Sequence, residues 1–442
     1  MTFPRLPAEI VDEILSFLHA HPDDLRACSR VSRSWLPRAR CHLFRHIVVD
    51  PSSDQLLCFF KETPDVRFLV RDVEIRGRAT TSQGWWMNGA DTSLSLSRWP
   101  TLGARMARSV RSDAVAFEVP SWLREGLSPS PDPPSDKTDQ DSSHPSSSKS
   151  IAANSTVHHI FPLVHTLRVS EFTLSPGVSS FLAAAFPKVT TLTLSHCRAM
   201  SFADLTSLFL AFPRLRALRL LSAEWLSDRK ALPETYPRLE LGQFEVSQDI
   251  HIGPLVDWLL AESAHRSLRI LKCSIGTRRS AGALRALLSA AGSTLEHIQI
   301  TLSKSPDPTS LLEAAQLDFT PCTRLRALHV PCGPSSPTRS PAAATRSLSW
   351  VLALLAHAGG AAPALAEIRL VLARRALPAL NLEGLDVVLA RTCYARLARL
   401  EFDVADAGTG GAREDVARVL AERMPIAHGQ ALLRLDYRAA VG

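Results

Sequence analysis

A short aliphatic pattern recurs along most of this 442-residue chain and narrows what it can fold into. Each copy reads aliphatic, two residues, aliphatic, one residue, aliphatic, and several follow an aromatic-proline pair. Phe161-Pro162 leads into Val164, Leu167 and Val169, Phe186-Pro187 into Val189, Leu192 and Leu194, and Phe212-Pro213 into Leu215, Leu218 and Leu220. Tyr236-Pro237 leads to Leu239 and then, after a two-residue slip, to Phe244 and Val246. Later copies are Leu268/Leu271/Cys273, Leu295/Ile298/Ile300, Leu325/Leu328/Val330, Leu365/Ile368/Leu370, Leu397/Leu400/Phe402 and Leu432/Leu435/Tyr437, with a lone early one at Val70/Val73/Ile75. The first six gaps are 24–30 residues and the last three are longer. Alternation over the last two aliphatics predicts a short strand. Helical spacings such as Leu205/Leu208/Phe209, Leu284/Leu287/Leu288 and Val416/Val419/Leu420 fall between the copies. A strand and a helix repeating at this period favour a solenoid over an ordinary βαβ sheet.

The first forty-five residues have a different grammar. Ile10, Ile14 and Leu18 recur at helical spacing, with Val11 and Leu15 beside them. Pro7 stands in the first turn, where its missing N–H would have no partner anyway. His21-Pro22-Asp23-Asp24 ends this helix and starts a second, whose apolar face is Leu25 and Cys28. Val31, Trp35 and Ala39 mark a third, running towards Phe44. Three helices in about 40 residues bury little surface by themselves, so their leftover apolar surface should be an interface.

These residues resemble the F-box, whose pattern Leu6, Pro7, Glu9, Ile10, Ile14, Leu15, Leu18, Leu25, Cys28, Val31, Ser32 and Trp35 follow without a gap. The resemblance implies a substrate-recognition subunit of an SCF-type (Skp–cullin–F-box) E3 ubiquitin ligase. Its F-box would bind the Skp-type adaptor, and through it the cullin and RING subunits, while the rest of the chain presents a protein substrate. Leu6, Pro7, Ile10, Ile14, Leu15, Leu18, Leu25, Cys28, Val31 and Trp35 are the adaptor-binding residues this implies. The chain itself would be non-catalytic and carry no cofactor. Two other readings are an adaptor-bound scaffold acting outside a ligase and a nucleic-acid-binding solenoid.

The copies over residues 157–442 resemble the leucine-rich-repeat region behind many F-boxes, which implies parallel strands with helices outside them. The expected fold is therefore α/β: a three-helix F-box at 1–46, a connector with a first irregular repeat at 47–127, a disordered Ser/Pro-rich loop at 128–156, and the array at 157–442. The loop holds almost no apolar side chains and cannot offset chain entropy by burial. Within the connector, residues 78–127 carry four tryptophans and no period, which suggests an insertion packed on the first repeats. The repeat family's Asn or Cys after the strand is mostly missing. Phe172, Ala223, Gly276, Ser303, Gly333 and Ala373 stand there, and only Cys197 fits. The turns must satisfy their backbone groups in some other way.

Charge sharpens the expected substrate face. Residues 1–156 hold 19 basic and 19 acidic side chains, so the formal +7 arises wholly within 157–442. Alternation places the residue between the last two aliphatics on the opposite, inner face. That position reads Arg168, Thr193, Arg219, Glu245, Lys272, Gln299, His329, Arg369, Glu401 and Asp436. Arg278, Arg279, Lys304, Arg374 and Arg375 follow their strands near one rim. Arg168, Arg219, Lys272, Arg278, Arg279, Lys304, Arg369, Arg374 and Arg375 are thus expected to form one basic stripe. Arg suits bidentate capture of carboxylate or phosphate, so an acidic or phosphorylated segment is the expected substrate.

Other classes are set aside on the same grounds. A weak +7 over the whole chain is too little for a dedicated nucleic-acid binder. Residues 1–18 lack the basic and apolar regions of a secretory signal. The charge-free window Ser347–Ala366 is broken by Gly359, Gly360 and Pro363, so its helical part is too short to span ~30 Å of hydrocarbon. No CxxC pair and no Cys/His cluster at zinc spacing is present, and the eight cysteines read as reduced thiols of a cytoplasmic or nuclear protein. No GxxxxGK[ST], GxSxG or HExxH motif occurs, and His158-His159 has no ligand set near it.

Overall fold

A computed structural model describes residues 6–18, 21–50, 59–60, 62–77, 161–227, 239–247, 250–302, 317–331, 350–356 and, with short interruptions, 364–438. The expectations for 78–127 and 128–156, Lys304 and Arg375 fall outside the described residues. The chain divides into two compact units. One is Met1–Val164 with Phe181–Pro187, the other His165–Ser180 with Lys188–Gly442.

The first unit opens with α1 (Ala8–Phe17), α2 (Pro22–Val31) and α3 (Leu36–Leu43). Pro7 immediately precedes α1, and proline also occupies the first turns of α2 and α3, where no N–H is needed. Asp23 and Asp24 in the first turn of α2 meet the positive end of the helix dipole. Val31 does not open the third helix. It ends α2, the chain turns extended at Ser32, and Trp35 becomes the N-cap of α3. A strand that the aliphatic pattern did not reveal follows at β1 (His46–Val49), pairing in parallel with β2 (Asp72–Arg76). Ile47 and Val49 lie opposite Val73 and Ile75, and all four are buried. Phe59 and Phe60 pack with Phe44, and Phe60 meets Phe161 edge-on at 5.0 Å.

The second unit is a stack of parallel strands in chain order. They are β3 (Thr166–Ser170), β4 (Thr173–Leu174), β5 (Thr191–Ala199), β6 (Ala217–Trp225), β7 (Gln243–Val246), β8 (Ile270–Ile275), β9 (His297–Leu302), β10 (Ala327–Pro331), β11 (Glu367–Ala373), β12 (Arg399–Ala405) and β13 (Leu433–Arg438). The two-residue β4 pairs with β5 beside the main path. The ladder aligns Leu167, Leu192, Leu218, Phe244, Leu271, Ile298, Leu328, Ile368 and Leu400, all of them buried. The two-residue slip after Leu239 is therefore real, because Phe244 takes the place opposite Leu218. Helices Phe202–Leu210, Ile252–Ala261, Arg278–Ala291, Leu382–Leu389 and Gly410–Arg423 lie between strands, a solenoid-like alternation. Ser201 with Asp204, and Thr277 with Ser280, form capping boxes that begin two of these helices.

The last copy is the one the pattern misplaced. Leu400 pairs with Leu433 and Phe402 with Leu435, so the strand residues of the repeat are Leu433/Leu435 and not Leu435/Tyr437. The missing Asn ladder also has a physical replacement. Glu171, His196 and Ser222, at matching rungs of three successive repeats, are left-handed, with φ of 57°, 53° and 65°. These residues turn the chain locally, and β5 and β6 then resume pairing from Cys197 and Ala223. Cys197, at the expected ladder position, donates its thiol to the carbonyl of Val169 on the neighbouring strand.

Burial holds the array's thiols protonated. Cys197 is pushed up to about 11, and Cys273 and Cys322 to about 12, by loss of hydration. Cys41, by contrast, is exposed. Mild alkylation of the native protein near pH 8, read by peptide mass mapping, should therefore mark Cys41 well before Cys197, Cys273 or Cys322. Equal labelling of Cys273 would mean that the strand core is open.

The carboxylate of Asp386, on helix Leu382–Leu389, is buried and accepts the N–H groups of Ile426 and Ala427 at 2.9 and 2.8 Å. These are two of the unpaired donors at the start of helix Pro425–Gly429. Asp386→Ala strands them and should cost roughly 2–4 kcal/mol in urea unfolding. Asp386→Asn keeps one acceptor and should cost clearly less. Equal losses would assign the effect to packing instead.

Candidate functional site

The helical module has an inside and an outside. Val11, Leu15, Leu25 and Ala39 form its core, with Leu18, Cys28, Trp35 and Leu43 packed partly buried around them. Arg38 on α3 donates to the Ala8 carbonyl at 3.1 Å and pairs with Asp12, fixing α1 against α3. With α1 held this way, its other side faces solvent. Leu6, Ile10, Ile14 and Phe17 are 54, 43, 36 and 75% exposed. Ile10, Ile14 and Phe17 follow one another at i+4 and i+3, which aligns them along one face of the helix. Pro7 is exposed at the start of α1, and Val31 is 65% exposed at the end of α2.

Of the ten residues expected to meet the adaptor, Leu6, Pro7, Ile10, Ile14 and Val31 are thus accessible. Leu15 and Leu25 are not: they are the module's own core, and they hold the helices that present the others. Leu18, Cys28 and Trp35 are shared between core and surface. Phe17, the most exposed of the stripe, was not anticipated from sequence. Its i+3 spacing from Ile14 was the available signal, but Leu18 at i+4 had taken that place. Each aliphatic moved from water into a partner would contribute roughly 1.5–3 kcal/mol.

In the second unit, the rung between the buried aliphatics lies on the opposite, open face. It reads Arg168, Thr193, Arg219, Glu245, Lys272, Gln299, His329, Arg369 and Glu401 in register. The next residue is Arg434, because Asp436 pairs one rung further on with Asp403. Glu245 sits between Arg219 at 3.5 Å and Lys272 at 3.6 Å. Arg369 Nη2 meets Glu401, Asp403 and Asp436 at 3.3, 3.1 and 3.2 Å, and Arg399 holds the second oxygen of Glu401 at 2.7 Å. The expected continuous basic stripe is therefore a ladder of mixed charge, its central cations already engaged by neighbouring strands. Past the strands, Arg374 approaches Asp415 at 3.9 Å. Arg278 and Arg279 are exposed at the first turn of helix Arg278–Ala291, and Arg168 is exposed on β3.

A shallow depression of about 230 Å³ crosses the middle of this face, lined among others by Glu245, Ser247, Lys272, Ser274, Gln299 and Thr301. Ligand pockets commonly enclose roughly 300–1,000 Å³, so this one suits a side chain rather than a cofactor. Among the described residues no group of three or more His, Cys, Asp or Glu is placed to hold a metal ion. None of their helices is long and apolar enough to cross a membrane.

Residues 3–50 match the F-box-like family model, a span that contains α1, α2, α3 and β1. No curated protein matches the chain. The F-box-like domain supports an adaptor interaction of the F-box type, and the stripe on α1 lies inside the matched span.

Proposed function

We propose that this chain is the substrate-recognition subunit of an SCF-type E3 ubiquitin ligase, non-catalytic in itself. The stripe Leu6, Ile10, Ile14 and Phe17, with Pro7 and Val31, docks on the Skp-type adaptor, which links it to the cullin and RING subunits. The leucine-rich-repeat-like array holds a protein substrate. The observation that carries this reading is an apolar helix face left in water within an F-box-like match. A module this small does not leave four large apolar side chains exposed in a row without a partner to cover them.

The test is affinity capture of the full chain from cells, with mass spectrometry of what comes with it. Adaptor and cullin should accompany wild type and vanish together from a Leu6/Pro7/Ile10 alanine variant, while array-bound proteins remain. Adaptor without cullin would leave a scaffold outside a ligase. Adaptor persisting on the variant would overturn the docking assignment.

A further inference from the structure

Many of the array's cations that make no ion pair among the described residues lie near the strand starts, although exposed Arg168 and Arg434 sit on the open face itself. Just before and at the start of the strands, arginines flank the first buried leucine of alternate repeats. They are Arg214 and Arg216 around Leu215, Arg266 and Arg269 around Leu268, Arg324 and Arg326 around Leu325, and Arg396 and Arg399 around Leu397. The repeats between them carry Glu240, Glu296 and Glu367 near their strand starts, at successive rungs: Glu240 level with Arg214, Glu296 with Arg269 and Arg326, and Glu367 with Ala327 and Arg399; Arg238, before Leu239, is outside the described residues. Backbone bonds tie Arg216, Arg269, Glu296 and Arg326 into one row, with the others one to three residues away along their strands. Gly242 N–H donates to the Arg216 carbonyl, Arg269 to Gly242, Glu296 to Arg269, Arg326 to Glu296, Ala366 to Arg326 and Ala398 to Ala366, each at 2.8–2.9 Å. Taken strand by strand, the charged residues near the strand starts are basic on β6, β8, β10 and β12 and acidic on β7, β9 and β11, though not all at one rung. Eight described arginines face three glutamates, an excess of five positive charges in a chain whose total is +7.

The glutamates do not neutralise it. Glu240 reaches Arg216 at 3.8 Å, Glu296 reaches Arg324 at 3.2 Å, and Arg399 is taken by Glu401. Arg214, Arg266, Arg269, Arg326 and Arg396 are all exposed and make no ion pair among the described residues. Every second strand from β6 to β12 thus offers at least one guanidinium with no ion pair among the described residues. With about 4.8 Å between strands, these forks recur about every 10 Å.

We infer that the strand-start edge is a docking surface for an acidic polypeptide segment whose carboxylates recur about every 10 Å. An extended chain rises ~3.3 Å per residue, so an acidic residue at every third position has this spacing. Guanidinium forks suit carboxylates by bidentate geometry, whereas a diffuse field would be served equally by lysine. The glutamates at alternate strands choose between macromolecules. A nucleic-acid duplex or an anionic membrane has dense, uniform negative charge and would be repelled at each of them. A polypeptide sets neutral or basic residues there. This deepens the role proposed for the array, naming the chemistry of what it holds and moving the contact from the open face to this edge.

The experiment titrates the full chain with a fluorescent Glu-Ser-Ser repeat peptide and, separately, a short DNA duplex, by anisotropy at two salt concentrations. The comparison proteins are Arg214→Gln/Arg266→Gln/Arg269→Gln/Arg326→Gln/Arg396→Gln and the open-face variant Arg219→Gln/Lys272→Gln. All substituted side chains are at least partly exposed, and circular dichroism checks that each variant folds. The peptide should bind wild type and the open-face variant alike, and bind the edge variant roughly tenfold or more weakly, with affinity falling as salt rises. Three results would overturn the inference: no peptide binding to wild type, a loss confined to the open-face variant, or tighter binding of the duplex than of the peptide. Adaptor capture by the edge variant is measured alongside. If wild type binds the peptide but no adaptor, the ligase reading fails and the docking edge stands.

Discussion

A chain carrying Asp at both Ile10 and Phe17 should lose at least about a hundredfold in affinity for the adaptor, while its fold stays intact. Two large side chains moved from water into an interface contribute on the order of 3–5 kcal/mol, which is roughly two to three and a half decades of affinity. Asp at either place adds a desolvation penalty in the bound state only. In the free chain Ile10 and Phe17 are 43 and 75% exposed, so neither substitution disturbs the module's core. Leu15→Ala is the contrasting variant. Leu15 is fully buried beside Val11, Leu25 and Ala39, and its truncation costs roughly 2–5 kcal/mol, enough to unfold a small module. It too should release the adaptor, but with rapid hydrogen exchange across α1–α3, which the double Asp variant keeps protected. Binding that survives the double Asp variant within a factor of three would place the interface elsewhere on the module.

The contrast shows what the sequence leaves open. Helix α1 carries Ile10, Val11, Ile14, Leu15 and Phe17, with Leu18 just beyond, so apolar residues almost encircle it. Periodicity reports that it is buried somewhere but not which side meets its own core. The positions of α2 and α3 decide that, pinned by Arg38. The strands were far more legible, because their aliphatics alternate and alternation fixes the face of every side chain. The same property hides one kind of error. Moving a strand's assignment by two residues preserves its faces, so Leu433/Leu435 and Leu435/Tyr437 are equally good readings until Phe402 selects one. Charge was the least legible. A list of cations along the chain suggests a stripe, but Glu245 and Glu401 reach those cations across strands, from 26 to 32 residues away in sequence. The unpaired arginines beside Leu215, Leu268, Leu325 and Leu397 were visible in the sequence all along. What singled them out was that, among the described residues, no cross-strand carboxylate forms an ion pair with them.

That cross-strand dependence makes Arg369 the residue whose loss should cost the array most. Asp403 and Glu401 are carboxylates on the open side of β12, yet their side chains are only 0 and 3% exposed, and Arg369 reaches both along with Asp436. A buried ion pair is weak evidence of stability by itself, because desolvation offsets much of the attraction. Removing one partner is a different matter, since the remaining charges stay buried. Arg369→Met keeps the bulk, withdraws the shared guanidinium and leaves Asp403 and Glu401 to Arg399 and weaker contacts. The expected loss is roughly 3–5 kcal/mol in urea unfolding of the second unit. If uncompensated charge is the cause, Arg369→Met combined with Asp403→Asn and Glu401→Gln should recover most of that loss, a coupling between neighbours that independent sites would not show. Arg369→Lys should fall between, since one ammonium on a flexible stem keeps the charge but not the planar fork that reaches three carboxylates. A single variant costing under about 1 kcal/mol, or a triple variant worse than the single, would mean that packing around β11–β13, and not this charge cluster, holds the end of the array.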